Sequence, residues 1–320
     1  PLARYIINGQ PPDEGNMHTL HHCATESQRE HFLKPLREGT ARSCFSMTEP
    51  EVAGSDPTLI QTSAVEDGDD WVINGHKWFT SGAEGADFAI VIARTDPDAE
   101  VPQARNSAFI VPTASEGFEI VRDVETMGGR HNHPEIKYNN VRVPKTHLLG
   151  ERGGGHKLGQ VRLGPARLAH CMRWLGQLEM ALEMLIDRAQ KRFAHGSYLS
   201  EKQSIQWMMS DSAMELYASK LMVLHAAYKI EQGLEFKQEV SMAKHHVANT
   251  LWRVIDRAMQ VHGALGYSTD TPLAGMMQQA RWARLADGAD EVHQMRIAEL
   301  LMRAYNEDGS VNQAVGGLPL

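Results

Sequence analysis

The spacing of apolar residues changes period twice along this 320-residue chain, and that switch restricts the fold more than any other feature of the sequence. Between residues 43 and 144 the pattern alternates with a period of two. Candidate strands lie at residues 59–65, 71–73, 76–79, 88–93, 108–111, 118–121 and 136–143, each bounded by Gly, Asp, Asn or Pro. Asn74-Gly75, between Trp71-Val72-Ile73 and His76-Lys77-Trp78, reads as the turn of a hairpin, because a type I′ turn needs two residues at positive φ. Seven short strands with no helical pattern between them predict an antiparallel barrel or sandwich.

From His156 onward the period becomes 3.6. Long amphipathic runs cover residues 163–193, 205–232 and 240–263, and a last helix is expected over 290–305. In the third run Val240, Val247, Leu251, Val254, Ala258 and Val261 trace a stripe in steps of three and four. Ahead of the strands, residues 25–38 read as a helix with Thr25 as N-cap, Gln28 completing a capping box, Gly39 as the stop and a kink or early end at Pro35. The residues before it look polar and loop-like. The expected architecture is therefore α+β and multidomain: a remnant of an N-terminal helical domain over 1–40, an antiparallel β-barrel middle domain over 41–150, and an antiparallel four-helix bundle over 151–320, with the tail after Asn306 loose.

Charge and cysteine content remove several function classes. Lys and Arg sum to 32 and Asp and Glu to 40, a net charge of -8, which excludes nucleic-acid binding through overall basicity while leaving a local basic patch open. Cys23, Cys44 and Cys171 are odd in number and far apart, so they offer neither a disulfide framework nor a clustered zinc site and favour a reducing compartment. No apolar run approaches the ~20 residues that cross a bilayer, so no membrane association is expected. Nothing at the N-terminus resembles a signal peptide, and PLARYIINGQ, without an initiating methionine, reads as the interior of a longer chain. The expected location is cytoplasmic in a bacterium, mitochondrial or peroxisomal in a eukaryote.

Most chemistry-bearing residue types here have a plain structural reading. The glycine-rich stretch 150–159 lacks the Gly-Lys-Ser/Thr of a phosphate loop and reads as a flexible joint. Among sixteen histidines, His21-His22, His131 with His133, and His245-His246 match no metal-ligand spacing, so no metal is expected. Met208, Met209 and Met222 read as core filler. The segment Phe45-Ser46-Met47-Thr48-Glu49-Pro50, followed by Ala53-Gly54-Ser55-Asp56, is more informative, since small residues and hydroxyls suit a loop that approaches a flat or phosphorylated ligand.

Together with Lys77-Trp78-Phe79-Thr80-Ser81-Gly82, this loop resembles the T-E-P…A-G-S-D and K-W-[IF]-T-[NS]-G elements of the acyl-CoA dehydrogenase family. The resemblance continues in order through Gly164-Pro165-Ala166-Arg167, through Arg192-Phe193-Ala194-His195-Gly196 with Leu199 and Gln203, and through Gln260-Val261-His262-Gly263-Ala264-Leu265-Gly266. It spans roughly residues 25–303, and only the end of the family's N-terminal helical domain is expected to be present. Ala286-Asp287-Gly288-Ala289-Asp290-Glu291 stands where the family carries an E-G-T segment, and Asp-Gly-x-Asp-Glu-Val-His is similar to the branch of kinase-fused dehydrogenases associated with 4-hydroxyacyl-CoA breakdown.

The resemblance implies an oxidoreductase that takes a proton from the α carbon and a hydride from the β carbon of an acyl-CoA thioester, leaving a trans-2-enoyl-CoA and reduced FAD. Asp287 would be the base, one methylene shorter than glutamate; its alternative reading is the N-terminal cap of the last helix. Another base position used in the family, immediately before Arg167, holds Ala166, which accepts no proton. By the same matching, Phe45, Met47, Thr48, Gly54, Ser55, Trp78, Phe79 and Thr80 would line the flavin, with Ser55 also near CoA. Arg192, His195, Gln203, Gln260, Gly263 and Ala264 would complete the flavin site of a second subunit, Gly288 and Glu291 would complete the flavin contacts near the base, and Gly164 and Arg167 would frame the acyl cavity. His195 replaces the usual phenylalanine and Ala289 the usual threonine. A homodimer or homotetramer follows from the shared sites, and an electron-transfer flavoprotein is the implied acceptor. An acyl-CoA oxidase, and a flavin-binding interaction protein without turnover, are the alternatives.

Overall fold

The structure, a computed structural model, describes residues 10–311 and Val315. The opening segment noted above and most of the tail expected to be loose lie outside these residues. Two compact units divide at Pro165/Ala166, so the N-terminal helices share a unit with the strands rather than forming one of their own.

In the first unit, strands β1 (Ser43–Ser46), β2 (Ser63–Asp67), β3 (Asp70–Lys77), β4 (Phe88–Arg94), β5 (Asn106–Pro112), β6 (Phe118–Asp123), β7 (Pro134–Pro144) and β8 (Leu148–Leu149) form one sheet in the order β6-β7-β3-β2-β4-β5-β8, with β1 pairing β4 off this path. The expected antiparallel barrel is corrected in two respects. The sheet is mixed, because β1 and β2 run parallel to β4, and among the described residues its end strands β6 and β8 do not pair with each other, so no closed barrel forms.

The Asn74-Gly75 hairpin is also corrected. Residues 70–77 are one continuous strand, and the two-residue turn is Gly68-Asp69, with Asp67 opposite Asp70 and Gly68 at φ 61°. Asn74-Gly75 instead marks a register shift against β7, held by Asn74 Nδ2 donating to Asn140 Oδ1 (3.1 Å) and Asn140 N–H donating to Asn74 Oδ1 (2.8 Å). Glycine is required at 75 by close approach, since a Cβ there would sit 2.2 Å from Thr62 Oγ1. Residue 59 lies in a 3-10 turn, Pro57–Leu59, not in a strand.

Strands β4 and β5 are apolar on both faces because both are covered. Ala89, Val91, Ala93, Phe109 and Val111 join a core with Trp71, Ile73 and Val143. Phe88, Ile90, Ile92, Ala108 and Ile110 pack against Leu158, near the start of the long helix described below, against Leu33, and against Leu20 and Leu36 of the N-terminal helices. Those helices are α1 (Asp13–Cys23), α2 (Glu26–Gln28) and α3 (Lys34–Glu38). The Thr25 cap and the capping box with Gln28 form as expected, and Gly39 ends α3 in the left-handed region at φ 74°. Pro35 does not break the helix. A π turn at Arg29–Leu33 widens the ladder just before it, which accommodates the donor that proline lacks.

The expected loop before Thr25 is α1, which carries little apolar period because it docks through polar groups. The Asp13 carboxylate accepts from Ser43 N–H and Oγ (both 2.7 Å), and Asn16 Nδ2 donates to Ser43 Oγ (2.9 Å) and Cys44 O (3.1 Å). The glycine-rich stretch is likewise not a loose joint. Gly155 starts a helix, and a Cβ there would meet the Asn106 carbonyl oxygen at 2.8 Å.

Helix α4 (Gly155–Lys191) carries the chain into the second unit. There α5 (Gln203–Glu231), α6 (Lys237–His262), α7 (Ala264–Tyr267), α8 (Leu273–Ala283) and α9 (Asp290–Asp308) follow. The four expected helices are present, and α7 and α8 were not anticipated. Val240, Val247, Leu251, Val254, Ala258 and Val261 are buried in one core with Trp174, Leu178, Leu185 and Ala280, as the stripe requires. The cysteines are unpaired, and burial pushes the Cys44 and Cys171 thiols up to about 12. Among the described residues no helix is long and apolar enough to cross a membrane, and no group of three or more His, Cys, Asp or Glu could hold a metal ion.

Gly75→Ala is expected to cost about 1–3 kcal/mol, because the new methyl must displace Thr62 in a packed strand; urea denaturation of the parent and variant measures the difference.

Candidate active site

In the strand unit, the two motif segments are sewn together by a buried ion pair. Lys77, fully buried at the end of β3, donates from Nζ to the Met47 carbonyl (2.7 Å) and to Glu49 Oε1 (2.9 Å). Glu49 is 1% exposed and also accepts from the backbone N–H groups of Gln61 (2.7 Å) and Thr62 (2.8 Å). Burial pushes the Lys77 ammonium down to about 8 against the pull of Glu49, so it is still protonated at neutral pH. Burial alone would raise the Glu49 pKa, but Lys77 and the hydrogen bonds to Glu49 outweigh it and hold the carboxyl below its ordinary value.

Around that pair the expected flavin-lining residues converge. Trp78 N–H donates to the Thr48 carbonyl (3.0 Å), the hydroxyls of Ser46 and Thr80 are 3.2 Å apart, and Tyr138 OH donates to Ser46 Oγ (2.8 Å). A Cβ on Gly54 would stand 2.9 Å from Thr48 Cγ2, which brings the 53–56 loop against the same segment, with Ser55 exposed. Phe45 has the guanidinium of Arg162 over its ring at 4.1 Å. Two features fit a flat aromatic ligand. Phe79 is 43% exposed at φ 49°, a conformation rare for a bulky residue, and the buried Trp78 indole N–H beside it has no hydrogen-bond partner. The Trp78 and Phe79 rings meet edge to face at 5.1 Å.

In the helical unit, Asp287 occupies a tight turn just before α9. Its φ is 53° and that of Gly288 is 109°, where a side chain would also meet His293 Nε2 at 2.9 Å. Two consecutive carbonyls of this turn are held by buried or half-buried cations: Arg167 Nε donates to the Asp287 carbonyl (2.8 Å) and Lys244 Nζ to the Gly288 carbonyl (2.6 Å). His170 Nε2 lies 3.3 Å from Asp287 Oδ2. Burial lowers the Lys244 ammonium to about 8 and, with help from Arg167 and Lys244, lowers His293 to about 3, leaving His293 neutral. Asp287 does not start α9 as its N-cap. Ala289 holds that position, and Asp290, the first helical residue, pairs with Arg284 Nε (2.7 Å) and Asn249 Nδ2 (3.0 Å).

The remaining expected residues occupy separate places. Arg192, His195 and Gln203 are exposed around a small hairpin, β9 (Phe193–Ala194) and β10 (Ser197–Tyr198), whose turn His195-Gly196 has φ values of 52° and 82°. Gln260, Gly263 and Ala264 are exposed where α6 ends, and Glu291 is exposed in the first turn of α9. Gly164 is half-buried one turn before Arg167 on α4. Lys244, His170 and the Lys77–Glu49 pair were missed as site-forming groups. One signal was available: Lys244 sits in the apolar stripe between Val240 and Val247, a position that commits it to burial.

Known proteins bear on this arrangement. Residues 44–141 match the family model "Acyl-CoA dehydrogenase, middle domain" and residues 153–302 match "Acyl-CoA dehydrogenase, C-terminal domain". The chain is 46% identical over 303 residues to the Mycobacterium tuberculosis protein "Probable acyl-CoA dehydrogenase FadE2", covering 93% of this chain and 74% of that one. It is 39% identical over 310 residues to human acyl-CoA dehydrogenase family member 11, covering 94% of this chain but only 40% of the human protein. The solved butyryl-CoA dehydrogenase of Megasphaera elsdenii is 32% identical and superposes with a TM-score of 0.84 over 90% of this chain and 75% of its own. The fold and both motif sets thus define a flavin-dependent dehydrogenase class, and the chain belongs to the acyl-CoA dehydrogenase family.

Replacing Lys77 by Met should cost about 3–5 kcal/mol, since it strands the Glu49 carboxylate in the interior. Because the folded pKa of Glu49 lies below its unfolded value, its contribution is complete above the unfolded value and is lost as the pH falls through the folded one. Denaturation midpoints measured from neutral pH downward should therefore show a shallower acid decline in Glu49→Gln than in the parent.

Proposed function

We propose that this chain carries out FAD-dependent α,β-dehydrogenation of an acyl-CoA thioester, with the Asp287 carboxylate taking the α proton. The observation that carries the reading is the Asp287 turn, a carboxylate held at positive φ by donors on two successive carbonyls. Strain of that kind persists only where the surroundings over-determine it, and it concentrates at working sites. Arg167 and Lys244 remove the turn's freedom before substrate arrives, so less ordering is left for the reaction itself. Bound FAD would accept the hydride that leaves the β carbon.

Phe45, Met47, Thr48, Gly54, Trp78, Phe79 and Thr80 would hold the flavin from the strand unit. Trp78 and Phe79 offer aromatic surface, and Thr80 offers a hydroxyl already ordered by Ser46. Exposed Arg192, His195, Gln203, Gln260, Gly263 and Ala264 would serve the flavin of a second copy, with Arg192 meeting a pyrophosphate, which makes the working form at least a dimer. An electron-transfer flavoprotein would reoxidise the cofactor. The short arm of Asp287 demands a substrate α carbon close to the turn, and the resemblance of Asp287-Gly288-Ala289-Asp290-Glu291-Val292-His293 to the 4-hydroxyacyl-CoA branch makes 4-hydroxyacyl-CoAs candidate substrates.

The test is anaerobic flavin bleaching across a panel of straight, branched and 4-hydroxylated acyl-CoAs. Asp287→Asn should keep the yellow FAD-bound protein and slow bleaching by about 10²–10⁴-fold. Undiminished bleaching in that variant removes Asp287 from the role, and a parent protein that takes up no FAD defeats the reading as a whole.

A further inference from the structure

We propose that His170 is the positioning residue for the Asp287 carboxylate, an inference that rests on the reading of Asp287 as the base. Its Nε2 is 3.3 Å from Asp287 Oδ2, with the two side chains 10% and 21% exposed. With Asp287 ionised, as a base must be, its oxygen can only accept, so a hydrogen bond between them requires the proton on Nε2. Catalytic hydrogen bonds are often long before substrate binds and tighten afterwards.

The imidazole is held in place. It stacks on buried Trp174 with centroids 5.4 Å apart and planes at 21°, and Trp282 of α8 meets it edge-on at 5.2 Å. Rotation about the ring's side-chain bonds would break both contacts. His170 also follows Arg167 by three positions on α4, so the two project from one face of the helix. Arg167 grips the backbone of Asp287 and His170 meets its carboxylate, which makes one helical turn the reference for the whole residue. Such a reference matters for aspartate in particular. At φ 53° its backbone is away from the conformations that usually settle its side chain, so the orientation of the carboxylate must come from a partner.

The experiment uses the full chain loaded with FAD. His170→Phe keeps the aromatic packing and removes the donor, whereas His170→Gln keeps a donor and removes the ring. The Phe variant should bind FAD, unfold at the parent temperature and lower the kcat for bleaching by about 10- to 100-fold with KM little changed. The Gln variant should recover part of that rate. In an Asp287→Asn background, His170→Phe should add nothing. Should His170→Phe not fold, His170→Leu against His170→Gln makes the same comparison. A donor-less variant that bleaches at the parent rate overturns the inference, as does an equal loss in both variants that tracks lost thermal stability. The base reading fails separately, through Asp287→Asn alone bleaching normally.

Discussion

A lysine with no exposed surface, Lys77, holds together the part of the strand unit on which its candidate site depends. Burying an ammonium is costly, and the structure offsets the cost by placing Glu49 at 2.9 Å and the Met47 carbonyl at 2.7 Å. The geometry is demanding. Lys77 ends β3, Met47 and Glu49 belong to the segment after β1, and Glu49 in turn collects the N–H groups of Gln61 and Thr62 before β2. One ion pair therefore determines how three segments from different parts of the sheet meet. The exposed Phe79 ring and the Thr80 hydroxyl come two and three residues after Lys77, so their placement depends on it.

The helical unit repeats the device with a different partner. Lys244 is also fully buried, and what it satisfies is the Gly288 carbonyl, 2.6 Å away, in a turn that no regular hydrogen-bond ladder supports. Both lysines are pushed down to about 8 by burial and are still charged at neutral pH. A charged donor on a backbone carbonyl is stronger than a neutral one, and inside the protein it has no water to exchange with. Each unit thus gives up some stability through a buried cation and gains one loop conformation in return.

How much of this was legible in the sequence follows from the kind of signal each element carries. Helix α6 was readable because a single apolar stripe faces one core, and α2 because Thr25 and Gln28 cap it through their own side chains. Helix α1 was not, because its buried face carries Asp13 and Asn16, whose partners Ser43 and Cys44 lie some thirty positions away. The parallel pairing of β1 with β4 left no local trace either, since a strand's partner and direction are tertiary choices. Asn74-Gly75 misled for a definite reason: its turn chemistry is genuine, but Asn74 spends it on Asn140 across the sheet, and Thr62 rather than a turn demands the glycine. Of the candidate site, the motif segments could be picked out in the sequence, whereas the roles of Lys77, Lys244 and His170 could not, because their contacts close only in the fold.

On the reading in which Asp287 is the base, its side chain is one methylene shorter than the glutamate of the E-G-T segment that this stretch resembles. Removing a methylene from a base shortens its reach and also deprives it of a torsion with which to find a productive geometry. On that reading compensation would have to come from the backbone, where positive φ at both Asp287 and Gly288 turns the chain sharply while Arg167 and Lys244 hold the two carbonyls. The reach that a longer side chain would provide by flexing would then be built into a strained main chain. Such an arrangement tolerates less variation than a glutamate would, since a shift of α4 or α6 moves the carboxylate directly. The aromatic packing of Trp174 and Trp282 around His170 ties α4 to α8 beside that turn, which limits such shifts.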